Sequence, residues 1–269
     1  MGSIHGNFIR DYHYHFFCIF IFQKPIALKI FYLICFLFFS ISLSAQNNQE
    51  KEQYIGFLVG SMIPINNFGV SSIELSENNS NITLNNKIGY NFGMVFKSIF
   101  TKSFSLESGI VFYQRNFRLT GSSSYLSGVL RDTSFFSYIS YGIPTQGIVY
   151  IQLGNELFLR NSIGFNIDFY ASSVASKGIY FGIDHLSERA RWINGSITGS
   201  LGFEKRSDQL GTFYFGAEVN IPISAIAVTK LKYNYGGNNP DRYENLFLRG
   251  NYFGIQFKYY LPKNLEKIP

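Results

Sequence analysis

The chain has 269 residues, of which 46% are hydrophobic and only 15% are charged. Soluble globular proteins usually carry about a quarter charged residues, so this composition disfavours an ordinary cytoplasmic protein, and an aromatic content of 18% excludes a disordered chain. The net charge of +6 comes from scattered Lys and Arg residues, which disfavours nucleic acid as a partner because nucleic-acid binding needs clustered basic side chains.

The first predicted element is a secretory signal peptide at residues 26–45. Lys24 and Lys29 stand at the front of an apolar core, Ile30–Phe39, and small residues follow that core. A positive start, an apolar core and a small-residue end are typical of a signal peptide. The sequence therefore predicts export from the cytoplasm.

The end of this leader leaves two cleavage positions open, after Ser44 or after Ala45. An uncleaved transmembrane anchor is the alternative, because the apolar run approaches the length of a spanning helix. Residues 1–25 are interpreted as an N-terminal extension that a mis-assigned start codon would explain. Both cysteines of the chain precede the cleavage positions, so the mature domain, residues 46–269, is expected to have no thiol for a disulfide or a metal site.

Apolar and polar residues then alternate along eight segments of the chain. In the last segment Phe253, Ile255 and Phe257 share one face, and Gly254 and Gln256 share the other. Alternation with a period of two is typical of strands with one apolar and one polar face, so the mature chain is predicted to be all-β. The segments are Tyr54–Met62, Ile88–Ser98, Ser103–Arg115, Tyr138–Leu153, Phe158–Tyr170, Ile193–Glu204, Thr212–Ile221 and Tyr252–Leu261.

Glycine placement indicates which face of these strands lies inside. Every segment has at least one glycine on its polar face, such as Gly56, Gly93 and Gly216. A glycine on a solvent-exposed sheet surface would weaken the strand, whereas inside a narrow barrel it makes room for large neighbours. The pattern favours a membrane barrel with a polar interior over a soluble lipocalin-like barrel with an apolar one.

The linkers between the segments alternate strictly between long and short, and the long ones are rich in Ser, Asn and Gly. Outer-membrane barrels have this rhythm of short periplasmic turns and long extracellular loops. The apolar face of the eight segments carries no charged residue, which suits lipid because a charge near mid-bilayer costs about 2–4 kcal/mol. We therefore predict an eight-stranded antiparallel up-and-down transmembrane β-barrel with four long extracellular loops, and we predict Trp192 at the membrane interface.

Three short stretches make the chain resemble the PorT-like outer-membrane β-barrel family of Gram-negative bacteria. They are SLSAQ at the leader exit, YISYGIPTQGIVYIQ around Ile143–Pro144, and the closing GIQFKYYLP. The resemblance covers about Gln46 to Pro262. It implies an outer-membrane location and partners that include outer-membrane lipid, the barrel assembly machinery, and secretion or envelope proteins. It implies no reaction.

The polar face of the strands carries four basic and four acidic side chains. An eight-stranded barrel leaves a lumen that side chains just fill, and a buried polar interior tolerates charges when they are paired. We therefore predict a plug of salt bridges, with a proton or ion pathway as the alternative. The eight side chains are Lys97, Glu107, Arg115, Arg160, Asp168, Glu204, Glu218 and Lys258.

One histidine of the mature chain suggests chemistry. His185 lies beside Ser187 and Glu188, which are the residue types of a nucleophilic hydrolase. Because the three lie close together in a polar stretch, a solvated loop is predicted instead. The sequence has no phosphate loop, paired catalytic carboxylates or metal-ligand motif, so we predict a non-enzymatic protein without a cofactor. The alternatives are an outer-membrane lipid-modifying enzyme and a soluble secreted ligand-binding barrel.

Overall fold

The computed structural model describes residues 52–65, 72–77, 80–125, 128–171, 173–178, 184–233 and 242–262. All of them belong to one compact unit, Lys51–Pro269. The predicted signal peptide and N-terminal extension lie outside these ranges. In the part of the chain that the structure describes, no helix is long and apolar enough to cross a membrane.

The regular elements of the described residues are all β-strands, in agreement with the all-β prediction. Their bounds are β1 Glu52–Pro64, β2 Ser72–Glu77, β3 Ser80–Thr101, β4 Phe104–Tyr125, β5 Gly128–Gln152, β6 Leu157–Tyr170, β7 Ser173–Lys177, β8 Asp184–Arg189, β9 Ile193–Ser207, β10 Gly211–Pro222, β11 Ala227–Tyr233, β12 Arg242–Leu248 and β13 Tyr252–Tyr260.

Eight of these strands form a ring in which every strand pairs antiparallel with two neighbours. The order around the ring is β1-β3-β4-β5-β6-β9-β10-β13. β1 joins the two ends of the series, because Val59 pairs with Phe257 of β13 and Leu58 pairs with Gly93 of β3. The predicted eight-stranded antiparallel ring is thereby confirmed, and we call this part of the molecule the barrel.

Polar and apolar side chains alternate between the two faces of the barrel. Outward-facing apolar side chains are exposed, as shown by Ile163 at 72% of its surface, whereas the inward-facing Arg160 and Glu204 are fully buried. Inward glycines lie where large side chains need space. A β-carbon on Gly216 would lie 2.6 Å from Cζ of the buried Tyr214 ring. The interior is therefore tightly filled, with charged and polar side chains beside a smaller apolar cluster that includes Met62, Val95 and Val111.

The four linkers predicted as long loops consist mostly of β-strands, so the prediction of loops is wrong over most of their combined length. β3, β4 and β5 have 22, 22 and 25 residues and continue well beyond the ring, and β2 pairs with the extended part of β3. Two other predicted loops contain β7, β8, β11 and β12, which form a second sheet in the order β12-β11-β8-β7. These strands are only five to seven residues long, so their alternation is too short to stand out from a polar sequence.

The second sheet and the extended parts of β3, β4 and β5 enclose one apolar core. We call this part, formed by residues 80–87, 117–125 and 128–138 together with the second sheet, the sandwich. Tyr170 at the end of β6 also contributes to the core. The buried core residues are Ile82, Leu84, Phe117, Leu119, Phe136, Tyr138, Tyr170, Ile226, Ala227, Leu231 and Leu248.

β3 crosses from the barrel to the sandwich through a β-bulge that follows Lys87. Below the bulge the inner face carries odd-numbered residues such as Asn91, and above it even-numbered residues such as Leu84. The side-chain amide of Asn116 donates to the carbonyl oxygen of Ile88 within the bulge, at 2.8 Å. This bond gives the Ile88 carbonyl a side-chain partner where the bulge interrupts the pairing of β3 with β4.

Candidate functional site

The charged lumen contains two carboxylates that bind several cations. Glu107 on β4 accepts hydrogen bonds from Nη2 of Arg160 at 2.8 Å and from Nζ of Lys258 at 2.6 Å. The hydroxyl of Tyr260 donates to the same carboxylate. Because β6 lies two strands and β13 three strands from β4 around the ring, these bonds link non-adjacent strands through the interior of the barrel.

Glu204 on β9 is the second of these carboxylates. Nζ of Lys97 lies 3.0 Å and Nε of Arg206 lies 2.8 Å from its Oε1. Its Oε2 lies 3.5 Å from Nη1 of Arg160 and accepts a hydrogen bond from the hydroxyl of Tyr150 at 3.2 Å. Arg160 thus contacts both carboxylates and joins the six charged side chains into one network.

Aromatic rings complete the environment of the cations. Cζ of Arg160 lies 4.4 Å from the ring centroid of Tyr214, and Nζ of Lys97 lies 4.0 Å from that of Tyr260. The negative faces of these rings attract the cations in addition to their ion pairs with the carboxylates. Since Arg160 and Glu204 have no exposed surface, no water-sized space remains beside them. Side chains therefore fill the lumen at this level.

Three of the eight predicted lumen charges, Arg115, Asp168 and Glu218, are buried but bind neutral groups. The structure thus brings five of the predicted side chains into the ion-pair network and leaves these three in separate hydrogen-bonded groups. The partners, in the described residues, are Ser140 and the carbonyl of Gly250 for Arg115, Asn166 and Ser196 for Asp168, and Tyr252 and Gln256 for Glu218.

Sequence reasoning missed Arg206 and the tyrosines of the network. Arg206 lies two residues after Glu204, on the same face, but the sixth predicted segment ends at Glu204. A longer segment would have included it. Alternation places Tyr214 and Tyr260 on the inner face of their segments. It does not indicate that tyrosines take part in the network, because a tyrosine suits both an apolar face and a hydrogen-bonded interior.

The prediction that His185 lies in a solvated loop is wrong. His185 is buried in β8, and its ring stacks on Phe136 with the centroids 3.8 Å apart. Its Nε2 lies 2.7 Å from Oγ of Ser187, and its Nδ1 lies 3.1 Å from Oγ of Ser176. Strand alternation explains the arrangement, because residues two apart share one face. Burial lowers the pKa of His185 to about 4.

The contact between His185 and Ser187 has the spacing of a base and a nucleophile, but its surroundings differ from those of a hydrolase site. A hydroxyl rather than a carboxylate faces Nδ1, and Glu188 instead lies 2.7 Å from Nζ of Lys230. Ser187 is fully buried, so a substrate would not reach it. Among the described residues, no cluster of three or more His, Cys, Asp and Glu is placed to hold a metal ion.

No protein-family model and no curated protein matches this chain. Among solved structures, the outer membrane protein OprG from Pseudomonas aeruginosa is similar at 11% sequence identity, covering 78% of this chain and 96% of OprG with a TM-score of 0.44. The β domain of the Bordetella autotransporter BrkA is similar at 8% identity, covering 78% of this chain and 99% of that domain with a TM-score of 0.18.

Proposed function

We propose that this chain is an integral outer-membrane β-barrel protein that acts without catalysis, as a structural, adhesive or secretion-accessory component. The observation that carries the proposal is the inverted burial of the barrel, whose outer wall is apolar and whose interior holds ion pairs. Soluble monomers rarely expose a contiguous apolar patch larger than a few hundred Å². In a bilayer the apolar outer wall contacts hydrocarbon instead of water. A ring of strands also satisfies its backbone hydrogen bonds where no water is available.

The outer face of β3–β5 indicates where the hydrocarbon layer ends. Phe112 and Tyr141 belong to an aromatic belt on this face, with ring centroids 5.6 Å apart. Directly above them, Oδ1 of Asn116 accepts hydrogen bonds from Nε2 of Gln114 at 3.1 Å and from Oγ of Ser137 at 2.7 Å. Aromatic rings below polar side chains are typical of a membrane–water interface.

The belt continues onto the next strands of the ring. Trp192, just before β9, is 62% exposed, and its ring lies 6.2 Å from that of Phe169 on β6. This position agrees with the predicted interfacial role of Trp192. Short turns join the ring strands at the opposite end, and outer-membrane barrels have their short turns in the periplasm. In the proposed orientation, the sandwich therefore projects outside the cell.

The filled lumen supports a role other than diffusion through a pore. Arg160 and the two carboxylates that it contacts are almost fully buried, so small solutes have no continuous aqueous path past them. The parts of the molecule that other proteins can reach are then the sandwich and the two ends of the barrel. Envelope or secretion proteins would bind the sandwich, and the barrel assembly machinery would act during insertion.

Fractionation of membranes combined with a heat-modifiability gel tests the proposal. We expect the protein in the outer-membrane fraction, a different gel mobility before and after boiling, and a mature N-terminus near Ala45 or Gln46. A detergent-independent soluble protein would contradict the proposal and favour the ligand-binding barrel. Lipid A mass spectrometry with and without the protein tests the enzyme alternative, and a protein-dependent change in lipid A mass would support that alternative.

A further inference from the structure

A patch of basic side chains lies on the outer face of β3–β5, on the side of the aromatic belt away from the barrel. Its centre is formed by Lys87 and Arg118, and Arg131 lies further from the belt, opposite Ser122 of β4. We call these three residues the basic patch. Lys87 pairs with Asn116, and Arg118 pairs with the residue two positions before Lys87, so the two cations are diagonal neighbours on one face. Diagonal neighbours in an antiparallel sheet lie about 7 Å apart, within reach of one bound group.

The geometry of the patch leaves its cations available to a partner. Lys87 and Arg131 are exposed, and the guanidinium of Arg118 lies 5.1 Å from the ring of Phe135. Stacking on an aromatic ring holds the planar guanidinium in place without using its donors.

No carboxylate of β3–β5 faces the patch among the described residues. The carboxylate of this stretch, Asp132, is buried on the inner face of β5. The other outward-facing side chains of β3–β5 from the belt to Arg131 are uncharged in the described residues. They include Asn85, Gln114, Asn116, Thr120, Thr133 and Ser137.

We infer that the basic patch binds the phosphate groups of outer-leaflet lipid. The inference rests on the proposed membrane function, because the belt below the patch then marks the height at which headgroups begin. An arginine fork matches phosphate oxygens in two parallel hydrogen bonds, and a lysine adds a point charge. Each basic side chain near an anionic membrane surface strengthens binding about fivefold.

Titration of the folded protein with lipid A tests the inference. The protein is held in a neutral detergent and titrated with phosphorylated lipid A or with the same lipid A after phosphatase treatment, and native mass spectrometry counts the bound lipid. We expect tighter binding of the phosphorylated form. The double variant Lys87→Gln/Arg118→Gln should bind that form about 30-fold more weakly. The matched control Lys102→Gln/Lys205→Gln removes two exposed cations at the other end of the barrel and should bind it like the unchanged protein.

Several results would overturn the inference. These are equal affinity for the two forms of lipid A, an equal loss in the control variant, or displacement of lipid A by inorganic phosphate at matched concentration, which would indicate a free-anion site. If the double variant does not fold, Lys87→Gln alone should still weaken binding about fivefold. Failure of the unchanged protein to shift on a heat-modifiability gel would reject the membrane function itself. A normal shift without phosphate preference would reject only the inference.

Discussion

The barrel and the sandwich share three strands but place polar and apolar side chains in opposite ways. On the inner face of β4, Arg115 in the barrel is followed two residues later by Phe117 in the sandwich core. On the outer face, Phe112 in the aromatic belt is followed by Asn116 and Arg118. In the proposed membrane location, each region faces its own surroundings, since hydrocarbon favours an apolar wall and water favours a polar one.

The difference shows that burial alone does not define the core of this protein. The barrel interior combines ion pairs, which depend on particular partners, with a smaller apolar and aromatic cluster. The sandwich core is apolar, and its contacts depend mainly on shape and volume. Removing one charged partner in the barrel should therefore cost more than a comparable change at most sandwich positions. Four predictions test this contrast, in order of decreasing effect.

Arg160→Ala removes the side chain that contacts both Glu107 and Glu204. We expect the free energy of unfolding in lipid vesicles to fall by about 3–5 kcal/mol, because Glu107 and Glu204 each lose a buried cationic partner. Urea titration measures the loss. The double variant with Glu107→Gln should cost less than the sum of the single variants. Strict additivity, or a large conductance of the unchanged protein in planar bilayers, would show that the charges line a wet pore.

Phe215→Arg tests the outer wall of the barrel, and Phe247→Arg is the matched control in the sandwich. The two phenylalanines are exposed to similar extents, 60% and 67%. We expect Phe215→Arg to cost about 2–4 kcal/mol in bilayers, since a charge would face hydrocarbon. Phe247→Arg should change stability by less than about 0.5 kcal/mol, as for an ordinary surface site. Equal effects in urea titrations of the two variants would reject the assignment of the two regions.

Acid should weaken the sandwich and leave the barrel folded. The pKa of His185 is about 4 in the folded protein and 6.5 without burial. Above pH 6.5 the ring is neutral in both states, so its protonation does not reduce the stability of the sandwich. As the pH falls, the unfolded state binds the proton first, and the sandwich should lose about 2 kcal/mol by pH 5. Hydrogen exchange of the β8 amides at the two pH values measures this loss. The same measurement on His185→Gln should show a smaller pH dependence, and an unchanged dependence would assign the effect to another group.

Asn220→Ser is expected to have the smallest effect of the four. Nδ2 of Asn220 donates to Oγ of Ser196 at 3.0 Å inside the barrel, and the shorter side chain loses that bond. A typical intramolecular hydrogen bond contributes about 1 kcal/mol, so a loss of that size is expected in the urea titration. A loss as large as that of Arg160→Ala would mean that neutral bonds hold the lumen as strongly as ion pairs do.

The sequence predicts the barrel well because its signal is long and repeated. The segment Tyr54–Met62 lies within β1, and Thr212–Ile221 lies within β10. In the proposed membrane location, the bilayer accounts for this agreement, because it requires one apolar face over a fixed height and so imposes alternation on every ring strand. The five predicted charges of the network follow from the same alternation.

The sandwich is poorly predicted because no comparable constraint acts on it. Its strands are short and face water on one side, so Ser and Asn side chains that are typical of loops also suit their exposed positions. His185 shows the consequence, since only the pairing of β8 with β7 and β11 places it on a buried face. A short strand can pair with a strand that lies far away in the sequence, as β8 does with β11. Local residue patterns do not reveal such a partner.

The β-bulge after Lys87 also has a consequence for how the molecule can be altered. At the bulge, the inward-facing residues of β3 change from odd-numbered to even-numbered. In β4 the inward-facing residues stay odd-numbered and change from charged Arg115 to apolar Phe117. Deleting one residue at the bulge would keep the ladder below it and turn Ile82 and Leu84 toward water. Conversely, a foreign hairpin grafted above this joint needs even-numbered apolar positions in β3 and odd-numbered ones in β4, and it must also pack against Phe136, Ile226 and Leu248 of the sandwich core. The bulge therefore fixes which residues of a replacement hairpin would face that core.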